Sequence, residues 1–344
     1  GDRVAIGARS NDGTAADAGH VRVYQYSSSS WSQLGSDIDG EAAGDLSGVS
    51  VSLDSDGDRV AIGAYGNDGT ADNAGHVRVM AATNAWWVDS KNGNDNNDGL
   101  FESSAFKTIQ HAIDNNSNLT DGDTIKVKPS LDSDGALSYY DFGGGQITTS
   151  KTFVLISTAG AATTILDAES KNRHFYINGS QDSTLQIIGF TFKNGKTEDD
   201  GGSIYMNGNA RAVFRDCIFE ANSLVDPNYG SRGGAVYHGN PNSSTILNDP
   251  LKFVRCKFIQ NEVIAKHSAY GGAVFSHTST EFINCLFANN RTIAGEGDDS
   301  ENHHESLGGA VVADARYHDG TNWISGYGKF LNCTFVDNYV TVKT

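Results

Sequence analysis

Short apolar runs separated by turn-forming residues set the pattern of this chain. Val4-Ala5-Ile6 and Val21-Arg22-Val23 flank the loop Asn11-Asp12-Gly13. Such runs, bounded by Asn, Asp and Gly, predict strands joined by tight turns. The pattern then repeats. "GDRVAIGARSNDGTAADAGHVRVY" begins at Gly1 and "GDRVAIGAYGNDGTADNAGHVRVM" at Gly57, an offset of 56 residues with 19 of 24 aligned positions identical. The runs Trp31 to Gly35 and Val49 to Leu53 bring the expectation to about four strands per repeat, the size of a propeller blade.

A different repeat governs the second half. Glycine pairs begin at Gly201, Gly233, Gly271 and Gly308, at intervals of 32, 38 and 37 residues. Each leads to a fixed block: Phe, three on to Cys, two on to Phe, three on to Asn. The blocks are "FRDCIFEAN" from Phe214, "FVRCKFIQN" from Phe253, "FINCLFANN" from Phe282 and "FLNCTFVDN" from Phe330. Fixed blocks with loops of variable length predict a stacked solenoid. Stacking places Cys217, Cys256, Cys285 and Cys333 in one inward column and Phe219, Phe258, Phe287 and Phe335 in another. Asn222, Asn261, Asn290 and Asn338 fall where the chain turns. There an Asn can adopt a left-handed conformation and hydrogen-bond along the stack. The glycine pair permits a tight corner.

Between the two repeats lies a seam. Trp86-Trp87-Val88 reads as a strand, and "NGNDNNDG" from Asn92 is turn chemistry. Phe106, Ile109, Ala112 and Ile113 share one face of a helix predicted over 105–115, with Ser104 as its N-cap. "GDTIKV" then reads as a strand. The expected class is all-β. A partial β-propeller-like segment over 1–82 precedes a right-handed parallel β-helix over 86–344, whose helix caps an otherwise open end.

Two resemblances rest on these residues. "SLDSDGDRVAIGA" (Ser52 to Ala64) and "AGHVRV" (Ala74 to Val79) resemble the FG-GAP-like repeats of bacterial surface proteins. The glycine-pair units, with "FEAN", "FIQN", "FANN" and "FVDN", resemble the GGA[ILV] and Phe-x-x-Asn repeats of the polymorphic outer-membrane protein family. That likeness covers about 150–344 and implies an extracellular or bacterial cell-surface protein with adhesive roles. The FG-GAP likeness implies calcium in Asp-rich loops, and Asp54, Asp56 and Asp58 are the candidate ligands, with alternating carboxylates around a Gly.

Composition narrows the partners. The chain holds 40 Gly, 4 Pro and a formal net charge of −17. So acidic a surface repels phosphate backbones, which argues against nucleic acid. No apolar run approaches the roughly 18 residues of a membrane span. The chain opens and stops in mid-pattern, as a piece of a longer polypeptide would. Four cysteines without C-x-x-C spacing read as buried thiols, not as a metal site.

Enzyme chemistry has weaker footing. "LDAESKNRHF" supplies Asp167, Glu169, Lys171, Arg173 and His174, and "GEGDDSENHHES" supplies His303 and His304 among acids. Neither forms a recurring face of base and carboxylate of the kind that polysaccharide lyases and glycoside hydrolases need. Loop aromatics such as Tyr139, Tyr140, Tyr229, Tyr237, Tyr270, Tyr317, Trp323 and Tyr327 suit sugar or protein contacts. The leading expectation is therefore a structural or adhesive protein, its β-helix a rigid scaffold displaying loops to a surface protein or glycan. A carbohydrate-active β-helix enzyme and a filament subunit, self-associating through the ends of the β-helix, are the alternatives.

Overall fold

Strand makes up 49% of the chain and helix 3%, so the fold is nearly all β. The computed structural model describes residues 2–27, 30–55, 57, 59–81, 85–114, 119, 123–129, 145–178, 185–207, 210–226, 230–239, 251–295, 305–313, 316–318, 323–325 and 327–342. The chain divides into two compact units, Gly1–Ala85 and Trp86–Thr344. No helix among the described residues is long and apolar enough to cross a membrane.

The first unit holds two antiparallel sheets. Arg3–Ala8, His20–Ser27 and Ser30–Asp39 form one, and Ser50–Leu53, Arg59–Ala64 and His76–Ala81 the other. The repeated loops explain the repeated strands. The Asn11 side chain accepts from the Gly13 N–H at 2.8 Å, and Asn67 accepts from Gly69 at 3.0 Å. Asp12 and Asp68 then hold the N–H groups of Asp17 and Asn73, which both have positive φ. Val21 and Val23 of one sheet pack on Val60 and Ile62 of the other, with Leu34, Ile38, Val51 and Leu53 around them. The first repeat holds four strands, as expected, but they are divided between the two sheets: three form the first and the fourth, Ser50–Leu53, opens the second.

The second unit is built of parallel sheets. From Leu185 the chain runs a fixed circuit: Leu185–Ile188 joins an eight-stranded sheet, Thr191–Lys193 a six-stranded one, Lys196–Thr197 a five-stranded one and Ile204–Met206 another six-stranded one. Ala212–Arg215 then returns to the first sheet beside Leu185–Ile188, in parallel. Later circuits repeat the order, so every sheet keeps its strands in chain order. From the second of these circuits a short strand, Ser231–Arg232, adds a corner sheet with Ala269–Tyr270 and Ser306–Leu307. One hairpin departs from the pattern, Arg316–His318 antiparallel to Trp323–Ser325.

Parallel in-register pairing brings like residues together, because Phe219 pairs with Phe258, Phe258 with Phe287 and Phe287 with Phe335. Their rings stack at 4.8, 4.8 and 4.7 Å between centroids. A second phenylalanine column, Phe214, Phe253, Phe282 and Phe330, stacks at 5.1, 5.2 and 4.9 Å. It meets the first edge to face, as at Phe253 and Phe258, 5.2 Å apart, the offset that ring quadrupoles prefer. Phe219, Phe258 and Phe287 are fully buried; Phe335, on the last described circuit and on the edge strand of its sheet among the described residues, is half-exposed.

The helix is shorter than the sequence predicts. Ile109–Asp114 is α-helical and Glu102–Ser104 is a 3₁₀ turn, with Ala105 extended between them. The N-cap is Thr108, whose Oγ1 accepts from the His111 N–H at 3.1 Å, and not Ser104, whose hydroxyl donates to Asp98. Asp95 moved the start, since its Oδ1 accepts from the N–H groups of Lys107 and Thr108. Ile109, Ala112 and Ile113 are buried as expected. The Gln110 side chain acts as a piece of strand: its amide donates to Thr148 O at 3.1 Å and its Oε1 accepts from Thr148 N–H at 2.7 Å. Ile147–Thr149 is the edge strand of its sheet, so Gln110 satisfies an edge that would otherwise be open.

Candidate functional site

The inward columns leave little chemistry free. Cys217, Cys256 and Cys285 are buried free thiols and Cys333 is partly buried. Each sits at a corner just after a strand, behind a residue of positive φ: Asp216, Arg255, Asn284 and Asn332. Their Sγ atoms point at carbonyls of the neighbouring circuit, Cys256 at Phe214 O and Cys285 at Phe253 O, 3.4 and 3.5 Å away. Burial pushes the Cys256 thiol well up, so it stays protonated and unreactive.

The asparagines form a continuous ladder, buried at Asn222, Asn261 and Asn290 and partly exposed at Asn338. Asn222 Nδ2 donates to Asn261 Oδ1 at 2.9 Å, Asn261 Nδ2 to Asn290 Oδ1 at 2.9 Å, and Asn290 Nδ2 to Asn338 Oδ1 at 2.8 Å. Each Oδ1 also accepts the backbone N–H of the preceding asparagine in the ladder. Each Nδ2 also donates to a phenylalanine carbonyl, such as Phe219 O from Asn261. The expected left-handed conformation falls one residue earlier, on Ala221, Gln260, Asn289 and Asp337. That twist turns the asparagine side chain inward, where it meets its partners.

The charged groups singled out in the sequence separate. Asp54 Oδ1 accepts from the Arg59 N–H at 3.2 Å and closes a turn; Asp56 and Asp58 lie outside the described residues. No group of three or more His, Cys, Asp or Glu placed to hold a metal ion occurs among the described residues. Asp167 accepts from Asn194 Nδ2 and the Glu169 N–H, and Lys171 pairs with Glu169. His174 is buried between Ser203 Oγ and Leu166 O, and burial lowers its pKa to about 4. His303, His304, Tyr139, Tyr140 and Tyr229 lie outside the described residues.

Arg173 alone of that stretch reaches a cleft. Gln146, Arg173, Tyr176, Asp199, Asp200 and Tyr205 line a space of about 440 Å³. Strand alternation produces it: Phe175 and Ile177 point into the core, so Tyr176 points out, and Ile204 and Met206 do the same for Tyr205. The in-register pair stacks its rings 4.9 Å apart at 4°. The Arg173 guanidinium lies 5.3 Å from the Tyr205 ring, donates to Thr197 Oγ1 at 3.1 Å and sits 3.8 Å from Asp199. Asp200 accepts from the Arg232 N–H at 2.8 Å, and burial raises its pKa. The aromatic column continues through Tyr237 to Phe275, at 5.2 and 5.9 Å. Both are buried, and burial pushes the Tyr237 phenol up to about 12.

Sequence reading passed over Tyr176, Tyr205, Asp199 and Asp200. A signal was present, because the fourth residue after the glycine-pair start is Tyr205, Tyr237 and Phe275 in three of the four units. The cleft combines a planar cation, two carboxylates, an amide and an aromatic surface. Such a set can stack on a sugar ring and hydrogen-bond its hydroxyls. No family model matches the chain, and neither a curated protein nor a solved structure matches it.

Proposed function

We propose that residues 86–344 form a right-handed parallel β-helix, the rigid scaffold of an extracellular or cell-surface adhesive protein, and that the cleft around Tyr205 binds a glycan. The circuit through the parallel sheets supports the scaffold reading. So does the resemblance to polymorphic outer-membrane protein repeats, whose matching residues are the inward columns. The observation that carries the glycan reading is the stacked Tyr176–Tyr205 pair with Arg173, Asp199 and Asp200 around it. A stacked aromatic contributes about 0.5–1.5 kcal/mol beyond the area it buries, and the flanking groups orient the ring hydroxyls. A glycan array followed by calorimetry tests this. Tyr205→Ala should weaken the best hit at least about tenfold, or ~1.4 kcal/mol. Equal affinity of wild type and variant, or an array without hits, refutes the glycan reading.

One observation favours a carbohydrate-active enzyme as the second reading. Asp200 is held towards its protonated form by burial while Asp199, beside it, is exposed. Two carboxyls in unlike environments suit an acid and a base. Release of reducing sugar by the wild type, lost in Asp200→Asn with binding kept, would select this reading over a purely adhesive one.

A further inference from the structure

Arg173 interrupts a column of glycines. Strand register sets Ile147, Phe175, Ile204, Val236, Val274 and Val311 side by side on successive circuits. Two residues earlier the same register gives Gly145, Arg173, Gly202, Gly234, Gly272 and Gly309. Backbone crowding keeps the later positions as glycine: a Cβ on Gly202, Gly234 or Gly272 would lie 2.2, 2.2 or 2.1 Å from a carbonyl oxygen of the next circuit. Packing of the stack therefore does not explain a long cationic side chain in this column.

The side chain is also short of partners. It is 8% exposed and lines the cleft. An arginine offers five N–H donors. Among the described residues this one reaches a single hydrogen-bond acceptor, Thr197 Oγ1 at 3.1 Å. Asp199, at 3.8 Å, stands beyond hydrogen-bond length, and its carboxylate is 89% exposed. Asp200 is taken by Arg232, whose N–H it accepts at 2.8 Å and whose guanidinium lies 3.5 Å away. A guanidinium cannot shed its charge, and a buried charge without hydrogen-bonded partners is costly. Burial lowers the Arg173 pKa in spite of both aspartates, so desolvation outweighs their attraction. The complement of this cleft is an anion that accepts from the guanidinium.

We infer that the sugar bound in the cleft carries a carboxylate and that Arg173 holds it. The inference rests on the glycan reading above and adds the class of sugar, a uronic or sialic acid. Guanidinium and carboxylate are planar and match two N–H groups to two oxygens. The roles then divide: Arg173 takes the carboxylate, Tyr176 and Tyr205 the ring face, and the aspartates the hydroxyls. Water screens the exposed Asp199 and the Arg232 guanidinium offsets Asp200, so neither strongly repels the ligand. The net charge of −17 is spread over the chain and is screened beyond about 8 Å at physiological salt.

Calorimetry with paired sugars tests this: oligogalacturonate and oligoglucuronate against their carboxyl-reduced forms, and sialyllactose against lactose. At least one acidic sugar should bind, and should lose affinity about tenfold or more without its carboxylate, the size of one charge-assisted hydrogen bond. Arg173→Gln should lose the same factor for the acidic sugar and bind its neutral partner as the wild type does, so the two losses do not add. That neutral binding, with unchanged circular dichroism, verifies an intact cleft. Should Arg173→Gln fail to fold, the sugar pairs on the wild type decide alone. Arg255→Gln, which removes a cation outside the cleft, should leave affinity unchanged. Neutral partners bound as tightly as the acids overturn the inference and leave the glycan reading standing. So do hits that are sulfated and not carboxylated, or an Arg173→Gln loss that is equal for acidic and neutral sugars. Failure of every sugar to bind refutes both.

Discussion

Replacing Asn261 by Ala isolates the buried ladder from the apolar core around it. The side chain makes four hydrogen bonds: it accepts from the Asn222 N–H at 3.1 Å and from Asn222 Nδ2 at 2.9 Å, and it donates to Phe219 O and Asn290 Oδ1, both at 2.9 Å. Truncation leaves the Asn290 oxygen with the Asn261 N–H, still 3.0 Å away. The two Asn222 donors and the Phe219 carbonyl lose a partner, and Asn222 and Phe219 are fully buried. An unsatisfied buried group costs about 1–3 kcal/mol, so the loss should reach at least roughly 3 kcal/mol. Little of it is hydrophobic, since the amide group is polar.

Two measurements check that figure. Urea denaturation should show a lowered midpoint, with Lys257→Ala, an exposed position on the neighbouring strand, shifting stability by less than about 0.5 kcal/mol. Amide exchange is more specific, because stacked repeats lose stability locally. The Asn222 N–H should exchange roughly a hundredfold faster, the factor that ~3 kcal/mol implies. Asn261→Asp keeps the acceptor but buries a charge, so its penalty at neutral pH should ease as the carboxyl protonates in acid. An Asn261→Ala protein no less stable than Lys257→Ala would refute the claim that the ladder holds the corners.

Phe287 stacks on Phe258 and Phe335 and meets Phe282 edge to face at 5.3 Å, so Phe287→Ala should cost roughly 3–5 kcal/mol by denaturant unfolding. A Cβ on Gly234 would lie 2.2 Å from Gly272 O, backbone against backbone; Gly234→Ala should lower the melting temperature sharply, whereas Gly145→Ala, with nothing within 4 Å, should not. His174 and His238 are buried, and burial lowers both pKa values to about 4. Below the ordinary value of about 6.5 the unfolded chain takes up protons that the folded one refuses. Stability should therefore be whole above pH 6.5 and fall between 6.5 and 4, by up to roughly 3 kcal/mol per histidine; a flat denaturation midpoint across that window would contradict the burial.

How much of this was legible follows from what a stack repeats. An inward side chain meets its own counterpart one circuit on, so selection for packing writes the same letter at each turn. That is why Phe219, Cys217 and Asn222 could be read as columns. The left-handed corners could not, because Ala221, Gln260, Asn289 and Asp337 share a backbone shape and no side-chain type. The ladder and the strands on either side impose that shape, and residues other than Gly tolerate it at modest strain. Nor could the helix start be read from Ser104, because the deciding group, Asp95, lies in a loop whose approach to Lys107 and Thr108 is tertiary.

The same logic says where function should sit. A ladder demands identity from one circuit to the next, whereas a binding site demands unlike groups close together, so the two compete for positions. Just before the glycine pairs the later circuits carry Ser231-Arg232, Ala269-Tyr270 and Ser306-Leu307, which pair as a corner sheet. At that place the first circuit carries Asp199-Asp200. The Asp200 side chain takes the Arg232 N–H, and no corner strand forms there. The repeat breaks where the cleft opens, and the break supplies both carboxylates and leaves Tyr176 and Tyr205 only partly buried, while Tyr237 and Phe275 above them are covered. Restoring the repeat by Asp199→Ser with Asp200→Arg should therefore abolish the glycan capture proposed above. Because the substitution also removes the acceptor of the Arg232 N–H and the carboxylate beside its guanidinium, some stability should be lost as well, and capture is compared on protein whose circular dichroism matches the wild type. If capture survived that double substitution, the departure from the repeat would have no part in binding.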